Sequence, residues 1–279
     1  MIKRIYFLTS EIVPFAESYQ LATFSKEIPI VFNERKYDFR LMMPKYSFIS
    51  ERRYILREVI RLREMDLTFL NQPVKASVKS AFIPNTKVQV YFLEHDDFYT
   101  NEPLELYRES DGEHNRNVLR FSYFAAAALT TLNYLRWKPE VIILNDWQMS
   151  LIPLMIKSGI LETTYFNDVK ILQILLSKNS LSKYRVADYE QVGLTKLDQD
   201  LIEKNKKIDC AAAAHRLSNH TLLINTEDNN VEKLYLADPV FKNLIGQDRS
   251  KVSTFNLLNE APEEWQNLAD EIIKIVDQL

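Results

Sequence analysis

Short apolar runs rich in β-branched residues alternate along this chain with longer segments of helical period, an order that calls for a parallel sheet covered by helices on both faces. Strands are expected at Lys3 to Thr9, Phe39 to Met43, Val88 to Leu93, Val141 to Asn145, Lys170 to Leu176 and Thr221 to Asn225. A long buried helix is expected over Val118 to Trp137, where Leu119, Phe121, Tyr123, Phe124, the alanines from Ala125 to Ala128 and Leu129 are apolar nearly all round. The small alanines let it approach the sheet, and Pro139 stops it before the strand at Val141. A last helix opens at Pro262-Glu263-Glu264-Trp265, with acids suited to the helix dipole in its first turn. The polar stretch Glu190 to Asp209 reads as a mobile insertion. Neither a repeat nor a Pro/Gly/Ser linker divides the chain, so one α/β domain over residues 1–279 is expected, with its C-terminal helix at about 263–279.

Composition narrows the function. No run of eighteen apolar residues could span a bilayer. The apolar start from Met1 to Ser10 is short and runs into Glu11, so it reads as a strand, with no signal peptide. The single cysteine, Cys210, cannot form an internal disulfide, and a cytoplasmic location is expected; the thiol reads as a small buried hydrophobe. A net charge of −3 gives no field for nucleic acid or an anionic membrane. One local exception is the run Arg52, Arg53, Arg57, Arg61 and Arg63, interleaved with Ile55, Leu56, Val59, Ile60 and Leu62. It is either a solvated amphipathic face or an anion-binding or partner surface.

Glycine is scarce: Gly112, Gly159, Gly193 and Gly246 are the only four, where average usage would give roughly twenty. Sites that bring backbone close to phosphate use clustered glycines, because a Cβ would block the approach. A dinucleotide fingerprint and a P-loop are therefore both absent, as is His-Glu-x-x-His. His95, His114, His215 and His220 have no zinc spacing, and the adjacent Asp96 and Asp97 do not make an acid/base pair. No cofactor and no metal are expected.

Several ordered segments resemble the glycogen and starch synthases. Thr9-Ser10-Glu11-Ile12-Val13-Pro14-Phe15 is similar to that family's Ser-Glu-x-x-Pro loop after the first strand. Phe39 to Tyr46 resembles its segment ending in Met-Pro-x-Tyr, and Tyr91 to Tyr99 its Leu-x-x-x-x-Phe-Tyr segment. Asn117, Arg120 and Phe121 fit an Asn-x-x-Arg-Phe helix, and Pro139 to Gln148 fits Pro-Asp-x-x-His-x-His-Asp-Trp-His, followed by Leu151-Ile152-Pro153-Leu154. The matches keep the family's order across about residues 1–176. The resemblance implies a GT-B architecture of two Rossmann-like domains with the active site in the cleft between them, and this chain corresponds to the N-terminal one.

The chain departs from the family where the chemistry lies. In active relatives Lys-x-Gly-Gly-Leu follows the first strand, the lysine meeting nucleotide phosphate; here Glu17-Ser18-Tyr19-Gln20-Leu21 stands there. Glu17 reverses the charge, and Tyr19 and Gln20 replace both glycines. The three histidines around Asp146-Trp147 are replaced by Ile143, Asn145 and Gln148, and Leu176 stands where the family has a histidine near the transferred sugar. These losses imply a non-catalytic domain acting in binding or regulation; the alternative is a glucosyltransferase, from ADP- or UDP-glucose to α-glucan, completed by a partner subunit. Glu11, Asn145, Asp146 and Trp147 form the candidate residual sugar site, the other reading being that Asp146 anchors a loop and Trp147 packs. A protein partner or self-association through the cleft, and an α-glucan, are the expected partners.

Overall fold

A computed structural model describes residues 3–100, 106–107, 116–161, 166 and 168–279. Its strands are β1 (Ile5–Leu8), β2 (Phe39–Pro44), β3 (Arg57–Glu58), β4 (Met65–Phe69), β5 (Gln72–Phe82), β6 (Gln89–Glu94), β7 (Val141–Asn145), β8 (Lys170–Leu175), β9 (Lys183–Arg185), β10 (Lys207–Asp209), β11 (His220–Thr226) and β12 (Val252–Leu257). Its helices are α1 (Leu21–Glu34), α2 (Glu51–Tyr54), α3 (Arg116–Leu135), α4 (Leu151–Ser158), α5 (Val186–Gln191), α6 (Cys210–Leu217), α7 (Val231–Ala237), α8 (Pro239–Gln247) and α9 (Pro262–Gln278).

Among the described residues one sheet runs β12-β11-β8-β7-β1-β2-β6-β5-β3, with β4 paired to β5. The strands from β12 to β6 are parallel. The central strands read as apolar runs because helices cover both faces: β1 and β7 are buried at every position. From β1 the chain moves one way to β2 and β6, then returns through α3 to β7 and continues to β8, β11 and β12. Right-handed crossovers then require helices on both faces. α3, α4, α6 and α8 pack in succession on one, while α9 comes back to pack on α1.

The six expected strands are present to within a residue or two, and the long helix and the last helix with them. α3 ends at Leu135 because Arg136 turns left-handed (φ 50°), which lets the Trp137 indole donate to Asp38 at 3.1 Å. Two parts differ from expectation. The sheet extends past β6 into an antiparallel edge, β3 to β5, and gains a parallel strand, β12. Residues 190–209 are folded rather than mobile, because Val192, Leu194, Leu201 and Ile208 are buried and β9 pairs with β10. An ion network closes that segment. The Lys178 ammonium lies 3.1 Å from both Asp209 and Asp238, and Lys183 bridges Glu203 (2.6 Å) and Asp238 (3.3 Å).

Candidate functional site

The strand order reverses between β1 and β7, where Leu8 lies beside Leu144. In open α/β sheets this is the place, at the carboxyl ends of the strands, where two loops diverge and leave a crevice. Here the loops are Thr9 to Gln20, leading into α1, and the turn at Asp146. Asp146 has φ 63° and ψ −179°, a region occupied almost only by glycine, at a cost of about 1–3 kcal/mol. A strained aspartate at the switch point makes this turn the candidate site.

Its carboxylate is fully engaged from within the chain. One oxygen accepts the Trp147 amide at 2.8 Å, and the other accepts the Tyr19 hydroxyl at 2.7 Å. Tyr19 also accepts from the Gln148 amide at 3.0 Å. Burial pushes the Asp146 carboxyl up to about 7, with hydrogen bonds from Tyr19, Ser177 and Trp147 opposing it. Such a carboxyl titrates where a general acid or base is useful. No part of it reaches solvent, however, and the side chain that shuts it in is Tyr19.

Behind Tyr19 lies a second buried carboxyl. Glu11 accepts from the Ser18 hydroxyl at 2.7 Å and from the Tyr107 hydroxyl, which also pairs with Ser10 at 2.8 Å. Burial raises the Glu11 carboxyl, and the Tyr107 and Ser18 bonds pull against it. Asn117 holds the Tyr107 carbonyl at 2.9 Å, and Arg120 holds Asn117 at 3.1 Å. The Asn-x-x-Arg-Phe pattern thus supports the first loop from α3. Tyr107, remote in sequence from Glu11, carried no signal of its own.

The other expected residues separate into buried and cleft-lining groups. Asn145 turns inward and donates to the Leu8 carbonyl at 2.8 Å, stapling β7 to β1. Trp147 is sealed between Tyr107 and Phe121, ring centroids 5.5 and 5.7 Å away. Ile143 is a core residue. Glu11, Asn145, Asp146 and Trp147 are therefore gathered in one region, all inaccessible to solvent. Glu17, Tyr19, Gln20 and Leu176 line an open cleft of about 690 Å³ over them, walled on its far side by residues 226–229 and 257–260. Among the described residues four carboxylates line that cleft, Glu17, Glu227, Asp228 and Glu260, and no lysine or arginine does. Gln20 reaches across it to Glu260 at 3.3 Å.

The three histidines among the described residues have structural partners. His215 bonds Thr221 at 2.8 Å, His220 bonds Ser253 at 2.8 Å, and His95 stacks on Phe98; His114 and Gly112 lie outside the described residues. Cys210 is buried, 3.4 Å from the Trp147 carbonyl. Among the described residues no cluster of His, Cys, Asp and Glu could hold a metal, and no helix is long and apolar enough to cross a membrane.

A mostly parallel sheet with loops converging on a strand-order reversal defines a Rossmann-like α/β domain of the kind that builds GT-B glycosyltransferases. The starch synthase catalytic domain matches residues 4–225, and the chain belongs to that glycogen/starch synthase family, as an N-terminal catalytic-type domain. It is 24% identical over 276 residues to a glycogen synthase of Chlorobaculum parvum, covering 97% of this chain and 56% of that protein. Over 167 residues it is 30% identical to a glycogen synthase of Chlorobium limicola, covering 60% of this chain and 34% of the relative. The catalytic domain of starch synthase IV from Arabidopsis thaliana, solved bound to ADP and acarbose, has the same fold, with a TM-score of 0.75 at 16% identity over 93% of this chain and 52% of that one. The chain spans about half the length, or less, of these relatives.

Proposed function

We propose that this chain is a non-catalytic glycogen/starch synthase-like domain that acts in binding or regulation. One observation carries the reading: Tyr19 stands where the family's loop has a glycine, and its hydroxyl occupies Asp146 from inside the chain. A glycine there would leave the carboxylate open to the cleft and the backbone open to phosphate. The cleft charge supports the same reading. A diphosphate brought to about 4 Å from a carboxylate is opposed by roughly 1 kcal/mol per charge pair in water and about 4 kcal/mol at a protein surface. Glu17, Glu227, Asp228 and Glu260 supply four such carboxylates.

What remains is a polar cleft suited to a neutral or cationic partner. We propose it as the surface for an α-glucan, a protein partner or self-association. The alternative, a glucosyltransferase completed by another subunit, requires the lost lysine and glycines to be replaced in trans. Calorimetric titration with ADP-glucose, UDP-glucose and maltoheptaose tests this: neither nucleotide should show saturable binding up to about 1 mM, which corresponds to less than about 4 kcal/mol of binding energy. A sugar-nucleotide Kd below about 0.1 mM would overturn it.

A further inference from the structure

At the far edge of the sheet from this cleft, where the order ends at β3, the surface has a different character. Ile55, Ile60 and Phe82 are 66%, 91% and 57% exposed. Ile55 and Phe82 line one groove of about 590 Å³, together with Arg53, Tyr54, Arg57 and Gln89. Arg52 and Arg61 flank it in sequence and are also exposed.

The carboxylates nearby are already engaged. Glu51 is held by Lys45 and Lys79, Glu58 by Arg63, and both Glu64 and Asp66 by Lys75. Among the described residues Arg52, Arg53, Arg57 and Arg61 are left with no carboxylate, in a chain whose net charge is −3. Arg53 lies over the Tyr54 ring, 5.2 Å from its centroid. A third, independent feature is backbone strain. Ile55 is left-handed (φ 54°, ψ 51°), a conformation costly for a β-branched side chain. It is held there by Tyr54, whose hydroxyl donates to the Pro14 carbonyl at 2.8 Å and whose ring meets Phe15 edge-on at 4.8 Å. The left-handed turn thus carries an apolar side chain that is left in water.

We propose that this groove is a docking site for an extended acidic segment of a partner protein. An aliphatic or aromatic side chain of that segment packs between Ile55 and Phe82, and flanking carboxylates pair with Arg53 and Arg57. Arginine suits this role because its planar fork binds carboxylate through two parallel hydrogen bonds, and arginine with aromatic anchors is the composition of interface centres. A second copy of this chain fits less well: its own acidic surface is the concave cleft, and two concavities do not interdigitate. The proposal does not depend on whether the cleft is catalytic.

The test is selection of a random peptide display library on the intact chain, with counter-selection on an Arg53→Glu/Arg57→Glu variant. Enriched peptides should carry Asp or Glu on both sides of an aliphatic or aromatic residue. Labelled with fluorescein, the strongest of them should bind about tenfold or more weakly to the double variant and to Phe82→Ser, and equally well to Arg249→Glu, a distant exposed control. All of these positions are exposed, so the variants should keep the melting curve of the parent. Neutral or basic winners, no enrichment over the variant, or polyglutamate competing as well as the peptide with Phe82→Ser silent would each overturn the proposal. So would sedimentation showing copies of the chain associating through this face and separating in the double variant.

Discussion

Tyr19 and Asp146 set the character of the site at the scale of single residues. Tyr19→Phe removes the hydroxyl that donates to the second carboxylate oxygen, a hydrogen bond to a buried acid. It should destabilise the chain by about 1–3 kcal/mol in urea denaturation at neutral pH. Asp146→Asn should act in the opposite sense. Burial lifts the folded carboxyl from its ordinary value of 3.8 to about 7, so the folded state holds a proton that the unfolded chain has released. The parent therefore loses stability as pH rises from about 4 to 7 and stays penalised above it. An asparagine carries no charge to bury, and the variant should gain about 1–3 kcal/mol over the parent at pH 8 and none near pH 4. Equal loss at both pH values would show that the carboxylate is an anchor no amide can replace. Sequence alone marked Asp146 as retained and Tyr19 as bulk in place of glycine. That the hydroxyl would close on the carboxylate was not legible, because the two are brought together only when β1 and β7 pair.

Among the elements, the segment from Lys178 to Asp209 depends on Asp238. This residue accepts from the Val240 and Phe241 amides at the start of α8 (3.0 and 3.3 Å) while pairing with Lys178 and Lys183. Burial raises its carboxyl, but the two lysines and the Phe241 amide outweigh it and hold it below the usual carboxylate range. Its stabilisation is thus complete above about pH 4 and is lost as pH falls through the lower folded value. Asp238→Ala should cost about 2–4 kcal/mol at pH 7 from cap and ion pairs together, and Asp238→Asn, which keeps the cap, should cost less. Denaturation of both variants at pH 7 and below pH 4 checks this, since the gap between each variant and the parent should narrow in acid. On the other face of the sheet, α9 buries Trp265, Leu268 and Ile272 against the domain, and Lys3 reaches its last turn at the Val276 carbonyl (2.7 Å). Trp265→Ala should cost about 3–5 kcal/mol in the same assay.

The central strands were legible because burial on both faces writes them as apolar runs, and α9 because its proline, acids and apolar stripe agree. The β4–β5 hairpin was harder. Met65-Asp66-Leu67-Thr68-Phe69 does alternate, but its turn uses Leu70 and Asn71 at φ 52° and 59°, where glycine usually signals the reversal. Scarce glycine concealed that turn as surely as it ruled out a phosphate loop.

At the scale of the whole molecule, the chain has the fold of its family's N-terminal domain. α3 supports the first loop at the switch point, Tyr19 covers Asp146 there, and four carboxylates line the open cleft above it. The basic, partly apolar surface lies at the other edge of the same sheet. We propose that a molecule so arranged presents binding surfaces and does not itself transfer glucose. The direct measurement is glucose transfer from ADP-glucose and UDP-glucose to glycogen by the purified chain, beside an intact synthase. No turnover above the enzyme-free background is predicted. Turnover within about a hundredfold of the synthase, less than about 3 kcal/mol of lost transition-state stabilisation, would contradict the account.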